Sequence, residues 1–391
     1  MRFAERTNFE AEETLSSEAL TQARKLGQLI DLTVSNPTRC DFPAQPQLLA
    51  ALSNVEALRY DADPQGRAST REVVAAHYGA GGCTVTSADM VLTASTSEAY
   101  GYLLKLLCEP GDAILVPSPS YPLFDLLARL HDVDLLTYPL VYHDGWQIDE
   151  ASLRAAITER VRAIVVIHPN NPTGHYCSRE DRRVLLQCAR DYDLPLMVDE
   201  VFLEYPVEGD QPQSFAHVHE DGLQAPLLFV LGGVSKLLCL PQMKLAWMLV
   251  LGTAGYREQA LGRLQVIADT FLSVSTPTQL ALRAWLPAGE AIRAVLLDRI
   301  KENLARLDVL LAGTSVTRLL LEAGWTAVLR VPALEPDHAL ATRLLLEHAT
   351  AVHPGSLYGF SPRGWLVVSL ITPPDLFQAG IGRVLQAIGT S

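Results

Sequence analysis

The chain has 391 residues, of which 49% are hydrophobic, and its formal net charge at pH 7 is −13. This is enough apolar material for a large core and more than one domain, while an acidic chain without basic runs is poorly suited to nucleic acid or an anionic membrane surface. The six scattered cysteines form no Cys-x-x-Cys pair, no apolar run is long enough to span a membrane, and the first 13 residues lack a secretory apolar core, so we expect a cytoplasmic protein with reduced thiols and no metal site.

Short apolar runs and helical patterns alternate along the first 250 residues. Residues 30–34 form a short extended candidate within a proline-containing, irregular part of the chain. Ser69 and Glu72 have the spacing of a capping box, which predicts a helix ending at Gly79. The later predicted strands are residues 91–92, 113–116, 135–140, 163–167, 196–198, 227–231 and 245–251, and the helices are 97–108, 121–130, one from 150 capped by Asp149, and one capped by Ser178 that runs to about 192.

Continuous apolar strands that alternate with helices are typical of a mostly parallel sheet covered on both faces, so the fold class is α/β. After residue 251 the pattern changes, because helices at 291–311 and 337–350 flank isolated strands at 327–331 and 366–369. That change predicts a second, smaller α+β domain. We expect an N-terminal arm (1–45) that forms part of the small domain, a large domain (46–276) and a small C-terminal domain (277–391).

Polar residues follow the predicted strands at their carboxyl ends, where parallel α/β sheets bind ligands. Ser95, Thr96 and Ser97 open a helix after the strand at 91–92. Hydroxyls and free N–H groups there could seat a phosphate, although a simple helix cap has the same pattern. Tyr121 follows the next strand and either presents an aromatic ring or packs at a helix start.

Three further strand ends carry an amide, a carboxylate and an amine. Asn171 lies in an Asn-Pro-Thr-Gly turn, a composition that any turn can use, and Asp199 follows a buried strand, where it could also cap a helix or form an ion pair. Lys236 lies between two apolar strands, where desolvation would lower its pKa and make it nucleophilic, unless it simply reaches solvent. One ligand, pyridoxal phosphate, needs all five features: a phosphate-binding helix start, an aromatic ring, an amide, a carboxylate and a lysine.

The combination resembles the class I/II aminotransferases, which are pyridoxal phosphate enzymes of fold type I. Three motifs carry the resemblance: residues 171–174, residues 199–201, and Ser235-Lys236 followed by Pro241 and a cation at Lys244. The family implies a seven-stranded type of sheet, an amino acid or amine donor, a 2-oxo acid acceptor and a homodimer with shared sites.

The resemblance also implies a role for each matching residue. Lys236 would form the Schiff base and serve as general base, and Asp199 would pair with the pyridine nitrogen. Asn171 would bind the ring O3′, Tyr121 would stack on the ring, Ser95, Thr96, Ser97 and Lys244 would hold the phosphate, and Tyr60 would reach the phosphate of the neighbouring subunit.

Three positions depart from the family pattern. Phe202 stands where most members have tyrosine, and Lys244 where most have arginine. Val367 occupies the position of the arginine that usually binds the substrate carboxylate. Either the donor is not an ordinary proteinogenic amino acid, which we favour, or another cation replaces the arginine. The candidate cations are Arg39 beside Asn36, Arg330 and Arg363. We place Asn36, Arg39 and Arg363 in the substrate site.

Several functions compete with transamination. A lyase or synthase acting on an unusual amino acid would need the same cofactor and the same residues, so the sequence hardly separates it. A nicotinamide-dependent oxidoreductase is disfavoured because no Gly-x-Gly-x-x-Gly follows an early strand. A non-enzymatic regulatory domain is disfavoured because Lys236 and Asp199 are both present.

Overall fold

The computed structural model describes residues 1–8, 29–42, 46–209, 213–217 and 226–389, so the predicted arm and the first 13 residues are described only in part. The strands are β1 (Ile30–Asp31), β2 (Met90–Thr93), β3 (Ala113–Ser118), β4 (Asp134–Tyr142), β5 (Trp146–Ile148), β6 (Val161–Ile167), β7 (Leu196–Asp199), β8 (Leu227–Gly233), β9 (Ala246–Gly252), β10 (Thr317–Arg318), β11 (Thr326–Arg330), β12 (Thr350–Ala351), β13 (His353–Pro354) and β14 (Trp365–Ser369).

The α-helices connect these strands. They are α1 (Gln47–Ala50), α2 (Ala68–Ala80), α3 (Thr96–Leu107), α4 (Leu123–Leu130), α5 (Glu150–Ala156), α6 (Arg179–Asp191), α7 (Val234–Leu237), α8 (Ala254–Phe271), α9 (Thr276–Leu311), α10 (Asp337–His348) and α11 (Pro374–Ile388). Within the described residues, no helix is both long enough and apolar enough to cross a membrane.

The large sheet has eight strands in the order β2-β9-β8-β7-β6-β3-β4-β5. The central pairs from β8 through β4 are parallel, whereas β9 is antiparallel to both neighbours and the short β5 is antiparallel to β4. The predicted mostly parallel α/β sheet is therefore confirmed. The sheet has one strand more than the seven predicted, because the three-residue strand β5 is added at its edge.

Helices cover both faces of this sheet, because successive side chains of each buried strand point to opposite faces. Val165 packs with Ala99 and Leu264 from α3 and α8 on one face. Its neighbour Val166 packs with Leu185 and Leu282 from α6 and α9 on the other. The continuous apolar runs in the sequence reflect this burial on both faces.

Sequence patterns located the starts of α3, α5, α6 and α10 to within one residue. Asp149 and Ser178 cap α5 and α6 as predicted, with their side chains accepting backbone N–H groups of the first turn. The predicted capping box at Ser69 is wrong, because α2 already begins at Ala68 and the N–H of Arg67 donates to Gln279 Oε1 at 2.7 Å. A side chain from a distant helix thus replaces the local cap.

The small sheet, in the order β10-β11-β14-β13, lies against α10 and α11, and β1 pairs in parallel with β12 beside it. The 36-residue helix α9 belongs to both cores: Trp285 packs under the large sheet, while Leu296 and Leu304 pack in the small domain. The predicted boundary at residue 277 therefore stays a prediction, since one helix is shared by both parts.

Candidate active site

Lys236 lies in α7, directly after β8, and its side chain points into a group of aromatic rings. Its Nζ is 4.7 Å from the ring centroid of Trp325 and 5.4 Å from that of Phe202. Burial lowers the pKa of Lys236 to about 8, against an opposing effect of Asp199. An amine with this pKa is neutral in an appreciable fraction near physiological pH, which is the form that acts as nucleophile or base.

The aromatic rings fix the lysine from two sides. Tyr205 donates a 2.7 Å hydrogen bond to the carbonyl oxygen of Lys236. Trp325 makes edge-to-face contacts with Phe202 and Tyr205, each with ring centroids 5.2 Å apart. Trp325 immediately precedes β11 of the small sheet, so the lysine lies where the two sheets meet.

Asp199 is the last residue of β7, and the charge of its carboxylate acts on the amine of Lys236. Its Oδ1 accepts the N–H of Val201 at 3.1 Å, and its Oδ2 accepts the hydroxyl of Tyr100 at 3.3 Å. Burial raises its pKa to about 6, opposed by both hydrogen bonds and by the charge of Lys236. Such a carboxylate is best stabilised by a cationic partner.

Asn171 follows β6 in the Asn-Pro-Thr-Gly turn. Its side-chain Oδ1 is buried and has no hydrogen-bond partner among the described residues. The turn is joined to the small sheet, because Thr326 donates to the carbonyl of Pro172 at 3.0 Å and Ala323 N–H donates to the carbonyl of Gly174 at 3.0 Å. A buried polar atom without a hydrogen-bond partner destabilises the fold unless a ligand supplies the missing hydrogen bond.

The start of α3 follows β2 at the same edge of the sheet. Ser95 is the N-cap, and its hydroxyl accepts the N–H of Glu98 at 3.1 Å, which is the simple capping role. The hydroxyls of Thr96 and Ser97 are partly exposed, and neither forms a hydrogen bond within the described part of the chain. A helix N-terminus with free hydroxyls favours an anion.

Three of the predicted cofactor residues, Tyr121, Lys244 and Tyr60, are exposed to solvent. Tyr121 is 44% exposed. Burial and the charge of Asp199 raise its pKa, which puts its hydroxyl within electrostatic range of that carboxylate. Lys244 is exposed and has a left-handed backbone with φ of 55°, and Tyr60 is 81% exposed.

Val367 is fully buried in β14, with Val328 and His353 as its partners on the adjacent strands. Arg330 and Arg363 lie at the other end of that strand from Ser369. The guanidinium of Arg330 covers the ring of Trp365, and Arg363 donates to the carbonyl of Leu334 at 3.4 Å.

The remaining predicted substrate residues lie in the N-terminal segment. Asn36 Oδ1 accepts the N–H of Thr38 at 3.1 Å and its hydroxyl at 2.8 Å, so this amide oxygen caps its own turn. Arg39 is exposed in the same turn.

The structure thus brings Lys236, Asp199, Asn171 and Tyr121 to one edge of the large sheet. Sequence reasoning missed Tyr100 and Trp325. Tyr100 could have been found, because it lies one turn after the cap of a helix that starts at this edge. Trp325 carries no local signal, since its contact with the lysine joins two different sheets.

These residues fit pyridoxal phosphate. The ring nitrogen would give Asp199 its cationic partner, the ring hydroxyl would complete the unpartnered amide of Asn171, and the phosphate would lie at the start of α3. Lys236 supplies the amine, with a pKa of about 8, that would hold the cofactor aldehyde.

Comparison with known proteins gives the following matches. The profile of the family described as aminotransferase class I and II matches residues 28–380. The glutamate-pyruvate aminotransferase AlaA of Escherichia coli (strain K12) is 28% identical over 279 residues, which cover 70% of this chain and 68% of that protein. An alanine aminotransferase of Mycobacterium tuberculosis is 28% identical over 275 residues, covering 69% and 63%.

Solved structures share the fold across nearly the whole chain. An alanine aminotransferase from Pyrococcus furiosus superposes with a TM-score of 0.88 at 22% identity, covering 99% of this chain and 100% of that one. The aspartate aminotransferase of Thermus thermophilus with maleate superposes with a TM-score of 0.85 at 22% identity, with coverage of 99% and 100%.

Proposed function

Because the chain belongs to the aminotransferase class I and II family, it is a pyridoxal phosphate-dependent aminotransferase, and we propose that Lys236 is the residue on which its reaction depends. The substrates of this family are an amino acid and a 2-oxo acid. Nothing in the comparisons favours the lyase or synthase alternative. The observation that supports the role of Lys236 is its partly buried amine, with a pKa of about 8, at the edge where Asp199 also lies.

The residues of the chain divide the work around the cofactor. When bound, pyridoxal phosphate supplies an electron-withdrawing ring that stabilises negative charge on the amino-bearing carbon. Lys236 Nζ would take the proton from that carbon and return it, because its lowered pKa permits both directions near neutral pH. Asp199, held by Tyr100 and the N–H of Val201, would keep the ring nitrogen protonated.

The other contacts proposed for the cofactor fix its position. Asn171 would bind the ring hydroxyl, and Tyr121 would cover the ring. Phe202 borders the lysine and cannot donate a hydrogen bond. The phosphate would be held by Ser95, Thr96 and Ser97 at the start of α3, by Lys244, and by Tyr60 of a second subunit.

We propose a cytoplasmic homodimer, which the surface around Tyr60 supports. Tyr60 and Leu272 line the same surface cavity. Leu49, Val55 and Leu58 are also highly exposed on the neighbouring segment. A cluster of exposed large apolar side chains is typical of a protein–protein interface.

The names of the relatives make alanine and glutamate the first donors to test. Val367 favours a donor other than an ordinary proteinogenic amino acid, unless another cation takes the place of the arginine, and this remains a prediction. Asn36, Arg39 and Arg363 are proposed to line the substrate site. Arg363 precedes β14 and therefore lies at the end of that strand opposite to Ser369.

The test is a panel of single donors added to the cofactor-loaded enzyme. Loss of the visible absorbance of the bound cofactor reports transfer of an amino group. We expect conversion by at least one donor in the wild type and none in Lys236→Ala. Conversion by amines but not by alanine, glutamate, aspartate or tyrosine would support the unusual donor, and a colourless protein after reconstitution would contradict the function.

A further inference from the structure

Val367 belongs to a row of three side chains that crosses the small sheet. It pairs directly with Val328 of β11 on one side and with His353 of β13 on the other. Residues directly opposite each other in an antiparallel pair point to the same face of the sheet. Their chain neighbours Val352 and Leu366 point into the core of the small domain, so this row faces the large domain.

The position of the row along the sheet is fixed by the register. Thr326 pairs with Ser369, and Thr326 follows Trp325, whose ring covers Lys236. The row lies two residues further along, about 7 Å from the Thr326 pair, whereas the pair of Arg330 with Trp365 lies about 13 Å away. Of the residues in this row, His353 alone can carry a positive charge.

His353 is partly exposed and held from one side. Its ring has a hydrogen bond to the backbone of Thr33, whose N–H and hydroxyl both donate to Asp31 Oδ1. Its ring also makes an edge-to-face contact with Tyr358 at 5.8 Å between centroids. Among the described residues, the second ring nitrogen has no hydrogen-bond partner.

The contact with Tyr358 connects His353 to the proposed cofactor site. The carbonyl of Tyr358 accepts the N–H of Ser120 at 2.8 Å, and Tyr121 contributes to the raised pKa of the Tyr358 hydroxyl. His353 therefore borders the same cleft as Tyr121, on the side of Val367.

We propose that His353 binds the carboxylate of the substrate, in the place where the chain has Val367 instead of an arginine. This inference rests on the proposed aminotransferase site and names the residue that selects its substrates. A single imidazole replaces a planar guanidinium, so the carboxylate gains one charge-assisted hydrogen bond instead of a bidentate pair.

The consequence is that carboxylate binding is coupled to protonation. With one ring N–H donated to Thr33, a neutral His353 presents a lone pair to the cleft, and only the protonated ring can donate to a carboxylate. Burial lowers the pKa of His353 below 6.5, against the effects of Asp31 and the hydrogen bond to Thr33; the Tyr358 hydroxyl is the other titratable group in contact. Above that pKa, affinity for a carboxylate should fall about tenfold per pH unit.

The test measures binding of propionate to the cofactor-loaded enzyme by calorimetry between pH 5.5 and 8.5, with neutral propionamide as ligand control. We expect wild-type affinity for propionate to fall with rising pH, and His353→Gln to lose at least about tenfold at pH 5.5, where His353 carries the most charge within this series. His353→Arg should bind without this pH dependence. The matched control is His338→Gln, which changes an exposed histidine of the same domain.

Lys236 and Asp199 also titrate near this range, so the difference between wild type and His353→Gln is the signal. Equal propionate affinity in those two proteins, or the same pH dependence in both, would overturn the inference, provided that the visible spectrum shows bound cofactor in the variant. If the enzyme bound propionate through His353 but converted no amino donor, the proposed function would fail. The inference that His353 binds a carboxylate would still hold.

Discussion

At the scale of single residues, the amine of Lys236 depends on its surroundings for reactivity. Phe202 and Trp325 lie beside its Nζ, Tyr205 holds the carbonyl oxygen of the same residue, and burial brings the pKa of the amine down to about 8. A solvent-exposed lysine would stay protonated near pH 7 and could neither attack an aldehyde nor accept a proton. The aromatic rings therefore serve chemistry as well as packing.

Lys236→Ala should abolish transamination, with a loss of at least about 10²–10⁴-fold from the missing proton transfer. Borohydride reduction followed by peptide mass spectrometry provides a second readout, because the chain has only five lysines: Lys25, Lys105, Lys236, Lys244 and Lys301. We expect the cofactor on the peptide that contains Lys236. Lys301→Ala, at an exposed helical position, should change neither activity nor labelling, and labelling of any other lysine would contradict the assignment.

Tyr100→Phe should move the pH dependence of cofactor binding. The tyrosine hydroxyl donates to Asp199 at 3.3 Å, which favours the ionised carboxylate. Without this donor the pKa of Asp199 rises, so the affinity of the cofactor-free enzyme for pyridoxal phosphate should begin to fall at a higher pH as the solution is acidified. Absorbance titrations between pH 5 and 8 measure this shift.

The control for that experiment comes from the same helix. Tyr102→Phe removes another buried hydroxyl, one that contacts Ser273 instead of Asp199. A shift of equal size in both variants would mean that loss of a buried hydroxyl, and not the bond to Asp199, is responsible.

Residues that end a strand could be predicted from the sequence, and residues that approach from another sheet could not. Lys236, Asp199 and Asn171 each follow an apolar run, and the edge of a parallel sheet collects such positions. Trp325 and His353 enter the cleft because the small sheet packs against the large domain, which no local pattern encodes. Val367 was located in the sequence, but its neighbour His353 became visible only through the register of β13 with β14.

At the scale of elements, the segment between β10 and β11 joins the two sheets. The N–H of Gly324 donates to Tyr205, and the N–H of Val207 donates to Glu322. Glu322 also accepts the N–H of Tyr176 at 3.1 Å. The segment that presents Trp325 to the lysine is thus bonded to two loops of the large domain, which fixes the relative position of the sheets.

Gly174→Ala should loosen this junction. Gly174 has a φ of +69°, and an added Cβ would lie 2.4 Å from the carbonyl oxygen of Ala323. Backbone strain and the clash together should lower the free energy of unfolding by about 2–5 kcal/mol, as measured by chemical denaturation. Gly111→Ala is the control, because Gly111 also has a positive φ but open space around it, so strain alone should cost about 1–2 kcal/mol. Equal losses in the two variants would contradict the proposed clash.

Stability should depend on pH through His175, which lies between two carboxylates. Its ring is 3.2 Å from Glu322 and 3.3 Å from Asp181. Burial lowers the pKa of His175, but both carboxylates outweigh this and raise it; burial raises the pKa of Asp181, and His175 with several hydrogen bonds lowers it. The stabilisation is therefore complete between about pH 3.8 and 6.5, the ordinary values of the two groups.

Above pH 6.5, this contribution is lost as His175 releases its proton through its raised folded-state pKa. Denaturation midpoints measured from pH 5 to 9 should fall more steeply for the wild type than for His175→Asn. His348→Asn, at a partly buried position of α10, serves as the histidine control. Identical slopes for wild type and His175→Asn would rule out this ion pair as the cause.

Elements with strong local signals were predicted well, and those shaped by distant contacts were not. α5 and α6 begin at their caps because Asp149 and Ser178 act on their own first turns. α8 was missed, because it buries only a narrow stripe of Ala260, Leu264 and Ala268 and contains two glycines that weaken a helical pattern.

At the scale of the whole molecule, the proposed dimer should complete the cofactor site. Leu58, which is 86% exposed beside Tyr60, is a suitable test position. Leu58→Asp should weaken the dimer by at least about tenfold and reduce retention of pyridoxal phosphate. Sedimentation velocity should give about twice 42.7 kDa for the wild type and a growing monomer fraction for the variant.

Val309→Asp is the matched control, because Val309 is also highly exposed but lies at the small-domain end of α9. A monomeric wild type with full cofactor retention would contradict the shared site. Loss of the dimer in both variants would place the interface elsewhere on the surface.

The pairing of β1 with β12 has a consequence for how the protein folds as it is synthesised. Ile30 bonds to the segment at Thr350, and the carbonyl of Leu32 accepts the N–H of Ser369 at 2.7 Å. Domains emerging from a ribosome tend to fold in order of synthesis, but this N-terminal strand has no partner until more than 300 further residues have been translated. Apolar Ile30 and Leu32 therefore stay in an unpaired segment while the large sheet forms, and β12 and β14 supply their partners only after that sheet has been synthesised.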